Sequence, residues 1–516
     1  MYVIGIDLGT SGVKALLISE NGDIVSRAFE EYPLYTPFPG WSEQKPEEWW
    51  EAVKKVIKVV SASVRPEEIV AISFSGQMHG AVFLDKDGEV IRPAILWNDT
   101  RTFNERAWIT QKAGGESNLI QMVGNPPLEG FTLPKIIWLR NNEPENFSKL
   151  HKVLLPKDYI VYKLTGRMVS EVSDAAGTAI YDVKNRKWSE ELAKILELDI
   201  SIFPEVIESF DVAGKVSKKM ADEIGLSPNT LVIPGGADNA CGAVGNGIIK
   251  EGLFLGSVGT SGVVLSPTSQ PKFDPEGRIH FFNHSVPNMW YNMGVILSAG
   301  FSLSWFKNNF AKLEGMVQEI SGISAYEIIN AEVEKVPIGS EALIFLPYLN
   351  GERTPHKDAK VRGAFIGISA RHTKAHFARA VMEGVTYALR DSLEIMKSLG
   401  ILPVEVRITG GGAKSKVWQQ IMADIFKVEV KTIQVDEGPA FGAAIIAAVG
   451  SKLFNSFDEA AEKFVKLGKT IEPIEKNSRI YDELYEIFRS LYPALKDKYE
   501  KLFNIAVKTS KGDENE

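Results

Sequence analysis

Two aspartates stand where an acid could do phosphoryl chemistry. Asp7 closes the apolar run Tyr2-Val3-Ile4-Gly5-Ile6, two residues ahead of the turn Gly9-Thr10-Ser11-Gly12. A carboxylate beside phosphate oxygens repels them unless a divalent cation intervenes, which makes Asp7 a candidate Mg²⁺ ligand. The simpler alternative is a carboxylate capping its own turn. Asp238 follows Pro234-Gly235-Gly236-Ala237 and opens the small-residue run Asn239-Ala240-Cys241-Gly242-Ala243-Val244. Asp caps helices well, and one fixed at a helix start can also take the proton of an alcohol. In phosphoryl transfer the protein mainly positions groups and neutralises charge, so a proton-accepting aspartate is the expected base, and Asp238 fits that role.

The turn beyond Asp7 occurs twice. Gly9-Thr10-Ser11-Gly12-Val13 is repeated as Gly259-Thr260-Ser261-Gly262-Val263, each copy lying between two apolar runs. Such a β-hairpin offers backbone N–H groups and two hydroxyls at its tip, with glycines removing the Cβ atoms that would block approach. A donor cluster of this kind suits phosphate oxygens, and two of them on two domains suggest a nucleotide held in a cleft between those domains. The copies are unequal, because Ser257 stands in the second where Asp7 stands in the first. Lys14, just past the first turn, is either a phosphate contact or a solvated strand residue.

The acceptor side is marked by Gly76-Gln77-Met78-His79-Gly80, which ends an apolar strand with polar groups between glycines, and by Trp97-Asn98-Asp99-Thr100-Arg101. An aromatic wall mixed with hydrogen-bonding groups is a common way to build a sugar site. His79 satisfied by nearby backbone is the plainer reading of that histidine. Two histidine pairs have i, i+4 spacing. His280 and His284 read as part of a strand, and His372 lies outside the helix that Thr373 caps ahead of His376, so neither pair predicts a metal site. Cys241 reads as a small buried helix residue. Neither a phosphate-binding Gly-x-x-x-x-Gly-Lys loop nor a dinucleotide-binding Gly-x-Gly-x-x-Gly stands in the required strand–helix context.

The elements that must position these residues follow from periodicity and turn signals. The chain opens as strand, turn, strand, with a further turn at Glu20-Asn21-Gly22-Asp23 and a third antiparallel strand from Ile24 to Phe29. A helix starting near Pro46 carries Trp49, Val53, Val56, Ile57 and Val60 on one face. Ile69 to Ser75 is a buried strand, and the region from Asn104 to Ile200 is mixed and mostly helical. Leu231 to Gly236 reads as a strand that breaks at its glycines. Gly410-Gly411-Gly412-Ala413 follows another strand and permits close backbone approach to a ligand. A helix begins near Gly438 to Ala444, and Ile480, Leu484, Ile487 and Leu491 recur at helical spacing until Pro493. The expected domains are residues 1–248, with the break near Ile248 to Gly252, then 249–450, then a helical extension over 451–516 ending in a disordered tail, Lys511 to Glu516.

At 516 residues the chain is too long for one hydrophobic core. Its formal net charge of -8 argues against a nucleic-acid surface, which needs concentrated Lys and Arg. A single cysteine excludes an internal disulfide framework. The start lacks a basic, apolar leader, and the most apolar later stretch, Ala440 to Val449, is too short for a bilayer of about 30 Å, so a cytoplasmic protein with no membrane partner is expected.

Taken in order, these motifs resemble the FGGY carbohydrate kinases. The likeness runs through Ile6-Asp7-Leu8-Gly9-Thr10-Ser11, Trp41-Ser42-Glu43-Gln44, Gly76 to Gly80, Leu96 to Asp99, Thr132-Leu133-Pro134-Lys135 and Ser173 to Thr178. It continues through Gly236 to Ala240, the second hairpin, Leu349 to Pro355, Gly363 to Ile368 with His376-Phe377, and Thr409 to Ala413. The resemblance implies an α/β fold of two actin-like, ribonuclease-H-like ATPase domains with a cleft between them, and ATP-dependent phosphorylation of a sugar hydroxyl. By position, Asp238 is the implied base, with Met78, His79, Trp97, Asp238 and Asn239 on the sugar. Thr10, Ser11, Lys14, Gly259 and Thr260 are the implied phosphate contacts, Gly300, Gly411, Gly412 and Ala413 the nucleoside lining, and Asp7 the Mg²⁺ ligand. Gln77 to Gly80 and Trp97 to Asp99 point within the family to D-xylulose, with gluconate or another pentulose as the alternative. No basic residue stands beside Met78-His79, as an acidic sugar would favour. A homodimer is compatible with this reading. The competing class is an actin-like ATPase without a sugar, which would not need Met78, His79, Trp97 and Asp238 together.

Overall fold

The computed structural model describes residues 1–435 and 437–511, with side chains to residue 509. They form two compact units, neither contiguous in sequence. The first comprises residues 1–250, 267–291 and 437–466, and the second 251–266, 292–436 and 467–516. The chain therefore crosses between units beside Lys250, near the expected break, and crosses again four more times. The expected tail falls on residues 512–516, outside the described residues, while Lys511 ends a helix.

The first unit is built on a mixed sheet. Its strands lie in the order Ile24–Glu31, Gly12–Ser19, Tyr2–Leu8, Ile69–Gly76, Leu231–Ala237 and Gly214–Lys215. The first three pair antiparallel, as the opening turns predict, and Tyr2–Leu8 then pairs parallel with Ile69–Gly76. Strand alternation sends Ile4, Ile6 and Leu8 to one face and Val3, Gly5 and Asp7 to the other. On the first face Ile4, Ile6 and Leu8 pack with Trp49, Val53, Ile57 and Val60 of helix Pro46–Ser61. On the second, Val3 packs with Cys241, Val244 and the apolar residues of helix Pro439–Gly450. That helix, apolar on every side, is a core element of this unit. The approach is tight, because a Cβ on Gly5 would lie 2.0 Å from the Ala440 carbonyl oxygen and one on Gly442 would lie 1.7 Å from that of Cys241.

The strand expected to break at Gly235-Gly236 instead continues to Ala237, with a register shift between Ile233 and Gly236. Gly235 sits at φ +76°, and a Cβ there would lie 1.7 Å from the Phe74 carbonyl oxygen. The glycines therefore make a bulge that lets the strand resume and deliver Asp238 to its end.

The second unit repeats the theme. Six strands of its sheet lie side by side in the order Trp290–Ile296, Gly262–Thr268, Leu253–Val258, Glu405–Thr409, Glu429–Ile433 and Leu467–Ile471, and His280–Asn283 borders Trp290–Ile296 as the seventh. Leu253–Val258 pairs antiparallel with Gly262–Thr268 and parallel with Glu405–Thr409. Helix Lys374–Ser398 runs through the unit's core, and helix Lys416–Phe426 is tied to it by Trp418 Nε1 donating to Thr386 Oγ1 at 3.0 Å. The final helix spans Glu475–Lys511 and passes through Pro493. Its buried face is Tyr481, Tyr485, Phe488 and Tyr492, whereas Ile480 and Ile487 are exposed. Tyr492 stacks on His356 at 3.7 Å and donates to Asp358, so tertiary contacts carry the helix past the one N–H that proline removes. Among the described residues no helix is long and apolar enough to cross a membrane.

Candidate active site

The first hairpin turns as its glycines require, with Gly9 N–H donating to the Gly12 carbonyl at 3.1 Å and Asp7 registered opposite Lys14. A polar frame from other segments of the unit holds its tip. Gln44 Nε2 donates to the Thr10 carbonyl at 2.7 Å, Gln77 Nε2 and Trp49 Nε1 each donate to Gln44 Oε1 at 3.0 Å, and Tyr32 donates its hydroxyl to the Gly9 carbonyl. Thr10 Oγ1 donates to Gln77 Oε1 at 3.2 Å and accepts from Trp97 Nε1 at 3.0 Å. Of the two tip hydroxyls, Thr10 is thus bound into the frame, and Ser11, exposed, is the one the turn presents. Trp97 keeps 45% of its surface in solvent. The part-exposed Lys14 pairs its ammonium with Glu437 Oε2 at 2.6 Å and donates to the Glu437 carbonyl at 3.0 Å.

The two acids lie on the same face of this unit's sheet. Oδ1 of Asp7 is buried and has no hydrogen-bond partner among the described residues. Burial pushes its carboxyl up, against the opposing effects of the Ser75 hydroxyl and the Lys14 charge. Asp238 is the first residue of helix Asp238–Gly245, and Ala237 occupies the cap position, so Asp238 is not the N-cap. Its Oδ1 accepts the Asn239 backbone N–H at 2.7 Å and Asn239 Nδ2 at 2.9 Å. Burial and then the charge of Asp7 push its carboxyl up to about 7, and the Asn239 bonds offset this only in part. The Asp238 residue is nonetheless part-exposed, so a substrate can reach it.

Asn239 also links Asp238 to Met78, because its Nδ2 contacts Met78 Sδ at 3.6 Å. Met78 is buried, and His79 beside it has φ +68°. Lys135 Nζ and Thr132 Oγ1 hold the His79 carbonyl at 2.7 and 3.1 Å. The ring stacks on Phe131 at 4.2 Å, and its Nδ1 lies 2.6 Å from the Gly177 carbonyl. A carbonyl only accepts, so Nδ1 carries the proton and Nε2 of the neutral ring is the acceptor. Gly177 lies close under both residues, since a Cβ there would sit 2.9 Å from His79 Nδ1 and 3.0 Å from Met78 Cε. The structure thus gathers Met78, His79, Asn239 and Asp238, while Trp97 joins the hairpin. Asp99 and Arg101, read in sequence with the sugar wall, are instead a buried ion pair at 2.7 Å whose guanidinium stacks on Trp41.

The second unit contains a cavity of about 550 Å³, a size that suits a nucleoside. Gly259 and Thr260 of the second hairpin, Gly300, Gly411 and Gly412 all line it. Ala413 is not in the lining; its carbonyl accepts from Gln419 Nε2 at 2.7 Å. Gly300 N–H donates to the Gly259 carbonyl at 2.7 Å, and a Cβ on Gly300 would lie 2.5 Å from that oxygen. Sequence reasoning missed Tyr326, Glu327, Asn330 and Trp418, which complete the wall. They come from helices with no motif, so no local signal marks them.

The histidine pairs do other work. His284 Nε2 donates to the Ile248 carbonyl at 3.1 Å while Nδ1 accepts the Val286 N–H at 3.0 Å, and burial pushes the ring down to about 4. His376 Nδ1 accepts the Thr373 N–H at the start of helix Lys374–Ser398. Among the described residues no group of three or more His, Cys, Asp or Glu could hold a metal. Cys241 is buried in its helix, as expected.

Comparison with known proteins agrees with this geometry. Residues 2–245 match the N-terminal domain, and residues 255–451 the C-terminal domain, of the FGGY family of carbohydrate kinases. The chain is 45% identical over 491 residues to the xylulose kinase of Staphylococcus xylosus, covering 95% of this chain and 99% of that one. It is 32% identical to the gluconokinase of Bacillus subtilis, covering 97% of both. The ligand-bound xylulose kinase from Lactobacillus acidophilus superposes with a TM-score of 0.89 at 29% identity, covering 97% of this chain and 99% of that one.

Proposed function

The chain belongs to the FGGY family of carbohydrate kinases, and from that premise we propose that it transfers the γ-phosphoryl group of ATP to the 5-hydroxyl of D-xylulose, giving D-xylulose 5-phosphate and ADP. The observation that carries the reaction is Asp238. It is a part-exposed carboxyl whose ionisation falls near neutral pH, joined through Asn239 to the Met78-His79 wall. The higher identity to a xylulose kinase than to a gluconokinase supports the pentulose over the sugar acid. So does the wall itself, where the buried Lys135 donates to the His79 and Gly130 carbonyls.

In this reading His79 contacts a sugar hydroxyl and Met78 supplies an apolar wall. Asp238 holds the reacting hydroxyl and takes its proton as the phosphoryl group arrives. Asn239 keeps one carboxylate oxygen fixed, which leaves the other to face the hydroxyl. Ser11 and the N–H groups of the first hairpin bind phosphate oxygens, and the cavity bounded by Thr260, Gly300 and Gly412 takes the nucleoside. The buried, unpartnered Asp7 Oδ1 fits a Mg²⁺ ligand. When bound, that cation would neutralise phosphate charge.

The test is ADP release with D-xylulose, L-xylulose, D-ribulose, L-ribulose, glycerol and gluconate as acceptors. D-xylulose should give the highest kcat/KM, with the product phosphorylated at C5 by ³¹P NMR. Turnover of gluconate above D-xylulose would replace the substrate reading, and ATP consumption indifferent to every sugar would replace the kinase reading.

A further inference from the structure

The segment that delivers Asp238 carries a bulge within its own sheet. The ladder shifts register between Ile233 and Gly236 and resumes at Gly236 and Ala237, and the bulged segment must fix a carboxylate to within a fraction of an ångström. Two backbone N–H groups in this segment go to serines. Ala237 N–H donates to Ser173 Oγ at 3.0 Å, and Gly235 N–H donates to the Ser209 carbonyl at 3.0 Å. Both serines are tied to one carboxylate. Ser173 Oγ donates to Glu171 at 2.8 Å, and Ser209 Oγ donates to Glu171 Oε2. Glu171 further accepts the backbone N–H groups of Ser173 and Asp174, at 2.9 and 2.8 Å.

Glu171, Ser173, Ser209 and the neighbouring Lys157 are fully buried. A buried carboxylate needs a counter-charge, and Lys157 Nζ lies 3.4 Å from Glu171 Oε1, while its shortest pairing is to Asp158 at 2.8 Å. The packing leaves the braced segment nowhere to go, since a Cβ on Gly236 would lie 2.2 Å from Ser285 Oγ and 3.1 Å from Ser173 Oγ.

We infer that Glu171, which touches neither sugar nor nucleotide, is a positioning residue for the base, bracing Gly235-Gly236-Ala237 at two points through Ser173 and Ser209. The inference rests on Asp238 being the base. The buried acids of the first unit then have separate roles, with Glu171 aiming the carboxylate and Asp238 taking the proton.

The experiment compares kcat, KM for D-xylulose, KM for ATP and the urea midpoint in wild type, Ser173→Ala, Glu171→Gln and Asp238→Asn. Ser173→Ala removes the acceptor for Ala237 together with that hydroxyl's donation to Glu171 and keeps every charge, so it remains informative if Glu171→Gln fails to fold. Ser173→Ala should lower kcat by roughly 10- to 100-fold, the loss that follows a small misplacement of a reacting group, with both KM values within about twofold. Glu171→Gln, if folded, should lose at least as much. A Ser173→Ala kcat within about twofold of wild type, or a loss that only tracks the unfolded fraction, overturns the inference while a dead Asp238→Asn leaves the base standing. Turnover retained in Asp238→Asn overturns both.

Discussion

Replacing Asp238 by Asn should stabilise the first unit while ending catalysis, and the gain should grow with pH. The carboxyl stands at about 7 in the folded protein against a reference value of 3.8. Between those values the folded chain binds more protons than the unfolded chain, so stability falls as pH rises through that window. The penalty is absent below the reference value and complete above about 7. At 1.36 kcal/mol per pH unit the complete penalty is about 4 kcal/mol, and discounting for the part-exposed carboxyl leaves about 2 to 4 kcal/mol. Asn cannot ionise, yet its Oδ1 still accepts from the Asn239 N–H and amide, which lie at 2.7 and 2.9 Å. Urea unfolding of wild type and Asp238→Asn, followed by tryptophan fluorescence near pH 5 and near pH 8, reads the difference. The variant's advantage should be about 2 kcal/mol larger at the higher pH. An advantage equal at both, or a variant less stable near pH 8, would refute the argument that burial and Asp7 raise this carboxyl.

Further outcomes concern rate, nucleotide and packing. The base must be ionised to act, so wild-type kcat/KM should rise roughly tenfold between pH 6 and pH 8, and a flat profile would contradict it. Gly300→Ala drives a Cβ to 2.5 Å from the Gly259 carbonyl oxygen, so KM for ATP should rise about tenfold or more while KM for the sugar holds, as measured by coupled ADP release. Gly5→Ala places a Cβ 2.0 Å from the Ala440 carbonyl oxygen and should cost about 2 to 3 kcal/mol, seen as a lowered urea midpoint.

Local chemistry made the hairpins, the Asp7 and Asp238 acids and the helix at Pro46 legible in the sequence, because each depends on a turn residue, a strand end or a short apolar period. What depends on distant chain was hidden. Nothing in Pro439–Gly450 says that it packs beneath Gly5, four hundred residues earlier in a different unit from its neighbours in sequence. Pro493 reads as a helix stop, but the buried Tyr481, Tyr485, Phe488 and Tyr492 outweigh one lost hydrogen bond. The Gly235-Gly236 pair reads as a strand end and proves to be a bulge within the strand. Glu171 and Ser209 have ordinary sequence surroundings, and although Gln44 and Gln77 stand in marked motifs, the contacts of all four arise only where the fold brings their side chains to the hairpin and to the segment before Asp238. Tyr326 and Asn330 line the cavity of the second unit from a helix that carries no motif.

The proposed catalysis turns on Asp238 as the group that takes the sugar's proton. The most direct measurement is single-turnover formation of D-xylulose 5-phosphate by Asp238→Ala, with ADP affinity measured by calorimetry on the same preparation. Turnover should fall by several orders of magnitude, on the scale of lost base and positioning together, with ADP binding within about threefold of wild type. Turnover within about tenfold of wild type would contradict that role for Asp238.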